Sequence, residues 1–242
     1  MAAALTAELT ARTFIAPEIA ELTFAMRSPP RLAFKAGQFV SIAVPAAAPG
    51  EEVVPRRSYS IASQSDDGEN LRFIIRVIPE GKASELLMGL PIGAKVAMTG
   101  PHGFFVLDPA HAGDVVFGAT GTGIAAVMPM LGELGRQPRT GDHRRLVFWG
   151  VRHESDFCAR AEVEALATGA GAELHLYLTA PPSGWAGGHG RITTAVLDRL
   201  STLAAPTFYL VGNGAMITEL KRELVARGVN RKTQIRTEAF FD

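Results

Sequence analysis

The sequence has a single cysteine, Cys158, in 242 residues. That excludes an internal disulfide framework, a four-cysteine iron–sulfur cluster and a cysteine-rich zinc site within this chain. It also lacks an excess of charge, because 24 Lys and Arg balance 24 Asp and Glu. A neutral chain has no electrostatic commitment to nucleic acid or to an anionic membrane. No apolar run reaches the ~18 residues of a membrane span. Met1 to Leu5 has neither a basic n-region nor a long apolar h-region, so no secretory leader is read there and a cytoplasmic setting is expected. Apolar residues are plentiful, at 47% of the chain. At this length they can bury one large core or two modest ones.

From Leu5 to Phe105 the chain shows short β-type runs: Phe14-Ile15, Glu21 to Met26, Gln38 to Val44, Ser58 to Ala62, Leu71 to Val77 and Lys95 to Met98. Pro17, Ser28-Pro29-Pro30, Asp66-Asp67-Gly68, Pro91 and Gly93 separate them. Short strands at this spacing favour an antiparallel barrel or sandwich. The Ala/Pro-rich segment Pro45 to Pro55 reads as a surface loop with no function assigned.

Within this half, Arg56-Arg57-Ser58-Tyr59-Ser60-Ile61-Ala62-Ser63 joins two apolar runs. A guanidinium fork suits a phosphate, a tyrosine face suits a flat ring, and a serine hydroxyl can bond a ring nitrogen. Together they describe a seat for a phosphorylated flat cofactor such as a flavin. Read alone, the stretch is equally an ordinary exposed strand end. A helical segment, Ala83 to Leu90, follows Gly81-Lys82-Ala83-Ser84. A glycine and the free N–H groups of a helix start can hold a second phosphate. Alone, Ser84 reads as a plain N-cap.

After Gly100-Pro101-His102-Gly103-Phe104-Phe105 the period changes. Asp114 to Gly118 reads as a buried strand, Ala119-Thr120-Gly121-Thr122-Gly123-Ile124 as a glycine-rich turn, and Ala125 to Leu134 as a helix. Strand, glycine turn and helix can place a pyrophosphate at a helix N-terminus. The glycine spacing is not that of the standard dinucleotide fingerprint. Strands at Arg145 to Val151, Glu173 to Thr179, Thr207 to Val211 and Thr233 to Phe240 alternate with helices at Cys158 to Ala167, Ile192 to Leu200 and Ala215 to Arg227. Such alternation gives a parallel α/β sheet whose ligands bind at the C-terminal strand edge. That edge collects Gly118 to Gly123, Gly150 to Arg152, Thr179-Ala180 and Gly212-Asn213-Gly214. The domain boundary is read near Leu107 to Gly113, with residues 1–107 as one unit and 108–242 as the other.

The order of these pieces resembles the ferredoxin–NADP reductase superfamily over nearly the whole chain. The resemblance rests on Gly37-Gln38-Phe39, Arg57-Ser58-Tyr59-Ser60, Gly81 to Ser84, Gly100 to Phe104, Thr120 to Ile124 with Pro129, Arg152, Gly190-Arg191-Ile192, Gly212 to Met216 and Glu238. It implies a six-stranded antiparallel flavin-binding β-barrel and an α/β nicotinamide-nucleotide domain. It implies FAD, with FMN as the alternative, and NADH or NADPH. Arg57 would bind a flavin phosphate, Tyr59 would pack on the ring, and Ser58 would stand between them. Ser60 would bond near flavin N5, with Glu238 as its acidic partner in hydride transfer. Ile75-Arg76-Val77 and Gly81-Lys82-Ala83-Ser84 would complete the flavin contacts. Thr120, Gly121, Thr122, Gly123, Gly212, Asn213 and Met216 would meet the nicotinamide nucleotide. Phe240 or Phe241 would cover the opposite flavin face, unless they simply pack the core.

Two departures follow from the same resemblance. Many relatives are expected to carry a cysteine where Gly212 stands, so its absence should leave extra room beside the nicotinamide. Thr179-Ala180-Pro181-Pro182 lacks the cation that binds a 2′-phosphate, although Arg152 and Arg191 match arginines with that role. Cys158 reads as a small buried residue in a helix. The implied acceptor is separate: a ferredoxin, a flavodoxin, an oxygenase component or a small molecule. Other readings are a free-flavin reductase, an electron-transfer subunit of a larger flavoenzyme, and a flavin-binding regulatory module without turnover.

Overall fold

The computed structural model describes residues 4–43, 56–78, 81–109, 112–137 and 141–240, with the backbone alone for Lys82. The loop read at Pro45 to Pro55 lies outside the described residues, as do Phe241 and part of the segment read as a linker.

The first half is a six-stranded antiparallel sheet with spatial order β4-β3-β6-β1-β2-β5. Its strands are β1 (Ala4–Ala16), β2 (Ile19–Ser28), β3 (Phe39–Ala43), β4 (Arg57–Ser60), β5 (Asn70–Arg76) and β6 (Lys95–His102). Period-two burial builds it: Leu5, Ala7 and Leu9 alternate inward on β1, and Ala20, Leu22, Phe24 and Met26 on β2. β1 is longer than its sequence advertises, because its small and polar outward residues mask the alternation. Just beyond β4, the Ala62 N–H donates to the Arg72 carbonyl at 2.7 Å, joining the first and last strands of the list and closing the barrel. Helix α1 (Lys82–Gly89) seals one end, with Leu87 fully buried in the barrel core.

The second half is a six-stranded parallel sheet. It comprises β7 (Val115–Thr120), α2 (Ile124–Arg136), β8 (Arg145–Val151), α3 (Arg160–Gly169), β9 (Glu173–Leu178), β10 (Gly188–His189), α4 (Ile192–Arg199), β11 (Thr207–Asn213), α5 (Gly214–Ala226) and β12 (Ile235–Phe240). The strand order is β10-β9-β8-β7-β11-β12. The central strands β7, β8 and β11 are buried almost throughout, as strands covered on both faces must be. One core, including Phe117, Trp149 and Tyr209, lies under α2 and α3; the other, including Phe148, Phe208 and Leu220, lies under α4 and α5. Arg145 ties the α2 and α3 ends together, donating to the Leu134 and Ala170 carbonyls at 3.0 and 2.7 Å.

The strand pattern predicted five of these strands; the two-residue β10 carries no periodic signal. Cys158 is fully buried, as expected, but sits in the turn before α3 and not in the helix, because Ala159 adopts a left-handed φ of 51° that breaks the helical path.

Halves of the chain meet across several contacts. Arg72 Nη2 of β5 donates to both carboxylate oxygens of Glu162 on α3, at 2.7 and 2.8 Å, and Arg72 Nε lies 3.4 Å from Glu21. The Gln64 side chain lies where a Cβ on Gly132 would have to go, so only glycine allows α2 to approach here. Arg136 bonds the same Gln64 at 3.2 Å.

Candidate functional site

The site is built where the end of β4 meets the end of β12. Ser60, the last residue of β4, is buried, and its hydroxyl donates to Glu238 Oε1 at 2.6 Å. The residues come from opposite halves, so the bond spans the crevice. Burial pushes the Glu238 carboxyl up from its ordinary range, and the Ser60 bond offsets only part of that rise. Beyond Glu238 a groove opens between Phe39, the Gly103 to Phe105 turn, Lys232 in the turn before β12, and the first residues of β12, including Arg236. Phe104 stands at its edge, 94% exposed.

Next along β4, Tyr59 is half buried against the barrel core, and burial raises its hydroxyl pKa to about 12. It stays neutral at any working pH. Arg57 and Ser58 are exposed. The Arg57 guanidinium bonds only the neighbouring Arg56 carbonyl, at 3.3 Å, among the described residues. A cation with no carboxylate partner next to a neutral, half-buried aromatic fits a phosphorylated ring such as a flavin. These residues fit the flavin that the sequence implies.

At the α1 start, Ser84 is not the N-cap that its position suggested. Gly81 holds that place, and the Ser84 hydroxyl folds back instead. It accepts from the Ile78 N–H at 3.1 Å and donates toward the Gly81 and Ile78 carbonyls at 2.9 and 3.2 Å. A Cβ on Gly81 would sit 2.8 Å from the Ile78 carbonyl, so the turn needs glycine to close. The Lys82 side chain lies outside the described residues. Of Ile75-Arg76-Val77, Ile75 points into the barrel core and the Val77 N–H is spent on Glu18. Arg76 keeps an exposed side chain.

On the sheet, the paired residues Thr120 and Gly150, Val151 and Leu178, and Asn213 and Phe240 bring the strand ends into one row. Gly121, Thr122 and Gly123 make the turn into α2, with Gly121 at φ 54°. Asn213 caps α5, accepting from the Met216 N–H at 3.0 Å. Met216 itself is buried. Arg152 and Arg191 are exposed, the first just past β8 and the second just past β10, with β9 between those strands, and Arg191 lies 3.9 Å from Glu219. Phe240 is half buried and packs on the core.

The expected extra room at Gly212 is not there. Its φ is 111°, a Cβ would overlap the Thr120 hydroxyl, and it would lie 2.6 Å from the Thr120 carbonyl. No side chain, cysteine included, fits at 212. Trp149 carries no sequence signal for its part in the site, yet its indole N–H donates to the Gly121 carbonyl at 3.0 Å. A tryptophan in a buried strand signals only a core residue until its partner is seen.

Among the described residues, no cluster of His, Cys, Asp or Glu could hold a metal ion. No helix among them is long and apolar enough to cross a membrane.

Comparison with known proteins adds to this geometry. Residues 6–107 match the family model described as the oxidoreductase FAD-binding domain, and residues 117–222 match the oxidoreductase NAD-binding domain. The chain is 34% identical over 230 residues to ferredoxin–NADP reductase B of Sorangium cellulosum, covering 92% of this chain and 91% of that protein. It is 29% identical over 233 residues to NADH-cytochrome b5 reductase 1 of Pyricularia oryzae, covering 93% of this chain and 74% of that one. Among solved structures, a cytochrome P450 reductase of Amycolatopsis superposes with a TM-score of 0.85 at 27% identity, over 98% of this chain and 70% of that chain. A ferredoxin NADP+ reductase from Neisseria gonorrhoeae with bound FAD and NADP has the same fold, with a TM-score of 0.80 at 21% identity and full coverage of both chains, 100% each.

Proposed function

Because this chain belongs to the ferredoxin–NADP reductase family, we propose that Ser60 and Glu238 form its reaction centre and that its electrons leave to a small acidic redox protein. The protein is a flavin-dependent NAD(P)H reductase with an FAD-binding half and a nicotinamide-dinucleotide-binding half. FAD, when bound, would supply the redox chemistry, acceptance of a hydride from a dihydronicotinamide and onward release of electrons.

The chain's own residues bind, orient and shield. Arg57 and the α1 start hold phosphate, and Ser58 and Arg76 flank that path. Tyr59 supports the ring face. The strand-end row from Thr120 to Met216 receives the dinucleotide, bringing the reactants together so that much of the rate comes from proximity. Ser60 Oγ and Glu238 Oε1 keep a proton at the crevice, and the raised Glu238 carboxyl favours holding it. The Ser60–Glu238 bond is the observation that carries this reading, because it puts a buried hydroxyl and a half-buried, protonatable carboxyl at the junction of the two halves. We divide the domains at residues 107 and 108.

The acceptor is a ferredoxin first, with a flavodoxin or an oxygenase component as the other members of that class. Exposed Phe104 beside exposed Lys232 offers an aromatic anchor with a cationic neighbour, which suits an acidic surface, while Arg236 is paired with Asp108 at 3.6 Å. The dinucleotide is NADH or NADPH. Arg152 and Arg191 favour a 2′-phosphate, while the cation-free Thr179 to Pro182 turn favours its absence.

The test is anaerobic addition of NADH and of NADPH, in parallel, to FAD-loaded protein. Stoichiometric bleaching of the yellow absorbance by at least one is expected. Persistence of the colour with both would sink the reading.

A further inference from the structure

We propose that Thr120 is a positioning residue, whose hydroxyl locks the two strand-end turns of the dinucleotide cradle into one rigid unit. The inference rests on the functional reading above and goes beyond it by assigning the cradle's internal lock.

The β7 and β11 strands are neighbours, and their last paired residues are Ala119 and Val211. Past that rung the ladder has no further backbone pair. The Asn213 N–H instead donates to Thr120 Oγ1 at 2.8 Å, so a side chain supplies the next rung. The surrounding backbone is shaped for this. Gly212, at φ 111°, leaves open the space that the Thr120 hydroxyl fills. A Cβ on Gly123 would lie 3.0 Å from the Val211 carbonyl and 3.1 Å from Gly212 Cα, so the two turns run in close contact.

Each turn is also tied outward. Trp149 holds the Gly121 carbonyl, and the Asn213 side chain caps α5 through the Met216 N–H. Thr120 therefore sits between two braced turns and couples them. The helices α2 and α5 begin at Ile124 and Gly214, directly after these turns. Helix N-termini favour phosphate, and their relative placement is what the lock fixes.

Thr120→Val keeps the shape and removes the acceptor, leaving the Asn213 N–H facing a methyl group. Thr120→Ser keeps the hydroxyl. FAD-loaded proteins are titrated calorimetrically with NAD+ and with NADP+, and the exchange of the Asn213 amide is followed by NMR. For the nucleotide that wild type binds, Thr120→Val should bind roughly ten-fold more weakly, near the upper worth of one neutral hydrogen bond. KM for its reduced form should rise in step with kcat little changed. Thr120→Ser should restore affinity, and Asn213 exchange should accelerate in the Val variant alone. If Thr120→Val does not fold, Thr120→Ala is judged by the same criteria. Val-variant affinity within two-fold of wild type, or an Asn213 amide that stays equally protected, overturns the lock. Wild type that binds neither nucleotide overturns the functional reading and the lock with it.

Discussion

The Ser60 hydroxyl donates to Glu238 Oε1 at 2.6 Å, linking residues 178 positions apart and joining the barrel wall to the last strand of the parallel sheet. A short bond between a buried hydroxyl and a half-buried carboxyl is suited to holding a proton beside a reacting ring.

Removing either member should therefore slow chemistry without emptying the flavin site. Ser60→Ala and Glu238→Gln are expected to keep FAD bound while flavin reduction by NAD(P)H falls roughly ten- to hundred-fold, a modest share of what positioned proton transfer contributes. Stopped-flow absorbance measures the rate. Wild-type rates in both variants would remove the pair from the mechanism.

Glu238 also sets a pH dependence of stability. Burial raises its folded pKa above the 4.5 of the ordinary carboxyl. The folded protein then holds that proton more tightly than the unfolded chain does. Its contribution is fully present below 4.5 and is lost as pH rises through the raised folded value. Melting temperatures of wild type should thus fall relative to Glu238→Gln between the ordinary carboxyl range and neutrality. A constant difference across that range would contradict the shift.

Arg57 should matter to flavin retention far more than to folding. Its side chain is exposed and bonds only the Arg56 carbonyl among the described residues. Arg57→Ala should weaken FAD binding by roughly ten-fold or more, the worth of a charge-assisted hydrogen bond to phosphate. Arg57→Lys should recover only part, since a point charge lacks the bidentate fork. Equilibrium dialysis with FAD decides this, and an unchanged Kd in Arg57→Ala removes the assignment.

At Gly212 the expectation concerns the backbone. Gly212→Ala forces a Cβ into the Thr120 hydroxyl at φ 111°. A cost of roughly 2 kcal/mol or more follows from strain and overlap together. Chemical denaturation should show a lowered midpoint, and a neutral substitution would mean that the turn is softer than its geometry.

The salt link between the halves is weaker. The Arg72 and Glu162 side chains are 23% and 40% exposed. Glu162→Gln should cost about 0.5 kcal/mol after allowance for solvent screening. Its effect on melting temperature should shrink further in high salt.

Much of this molecule is legible in its residues, for identifiable reasons. Regular βα alternation from Asp114 onward announces the parallel sheet, because buried central strands such as Arg145 to Val151 are nearly uninterrupted apolar runs. The order of Arg57-Ser58-Tyr59-Ser60, Gly81 to Ser84, Thr120 to Gly123 and Glu238 likewise points to a flavin and nucleotide family. Pairings that depend on the folded path are another matter. Nothing local links Trp149 to the Gly121 carbonyl or the Asn213 N–H to Thr120. Ser84 was misread because a serine near a helix start has two uses, capping forward or folding back, and the choice rests on where Ile78 lies. Position 212 was misread because a missing side chain suggests a vacancy, whereas here a neighbouring hydroxyl fills the space.

The bond from Ala62 to Arg72 ties the chain just past β4 to β5, so part of that margin of the antiparallel sheet is already occupied. The parallel sheet ends on one side in β10, only two residues long, and on the other in β12, whose residues share a groove with the Gly103 to Phe105 turn. Among the described residues, strand addition therefore meets margins that are short or partly occupied. Copies of this protein that associate should do so through side-chain faces, which leaves them resistant to sheet-on-sheet aggregation as long as both halves stay folded.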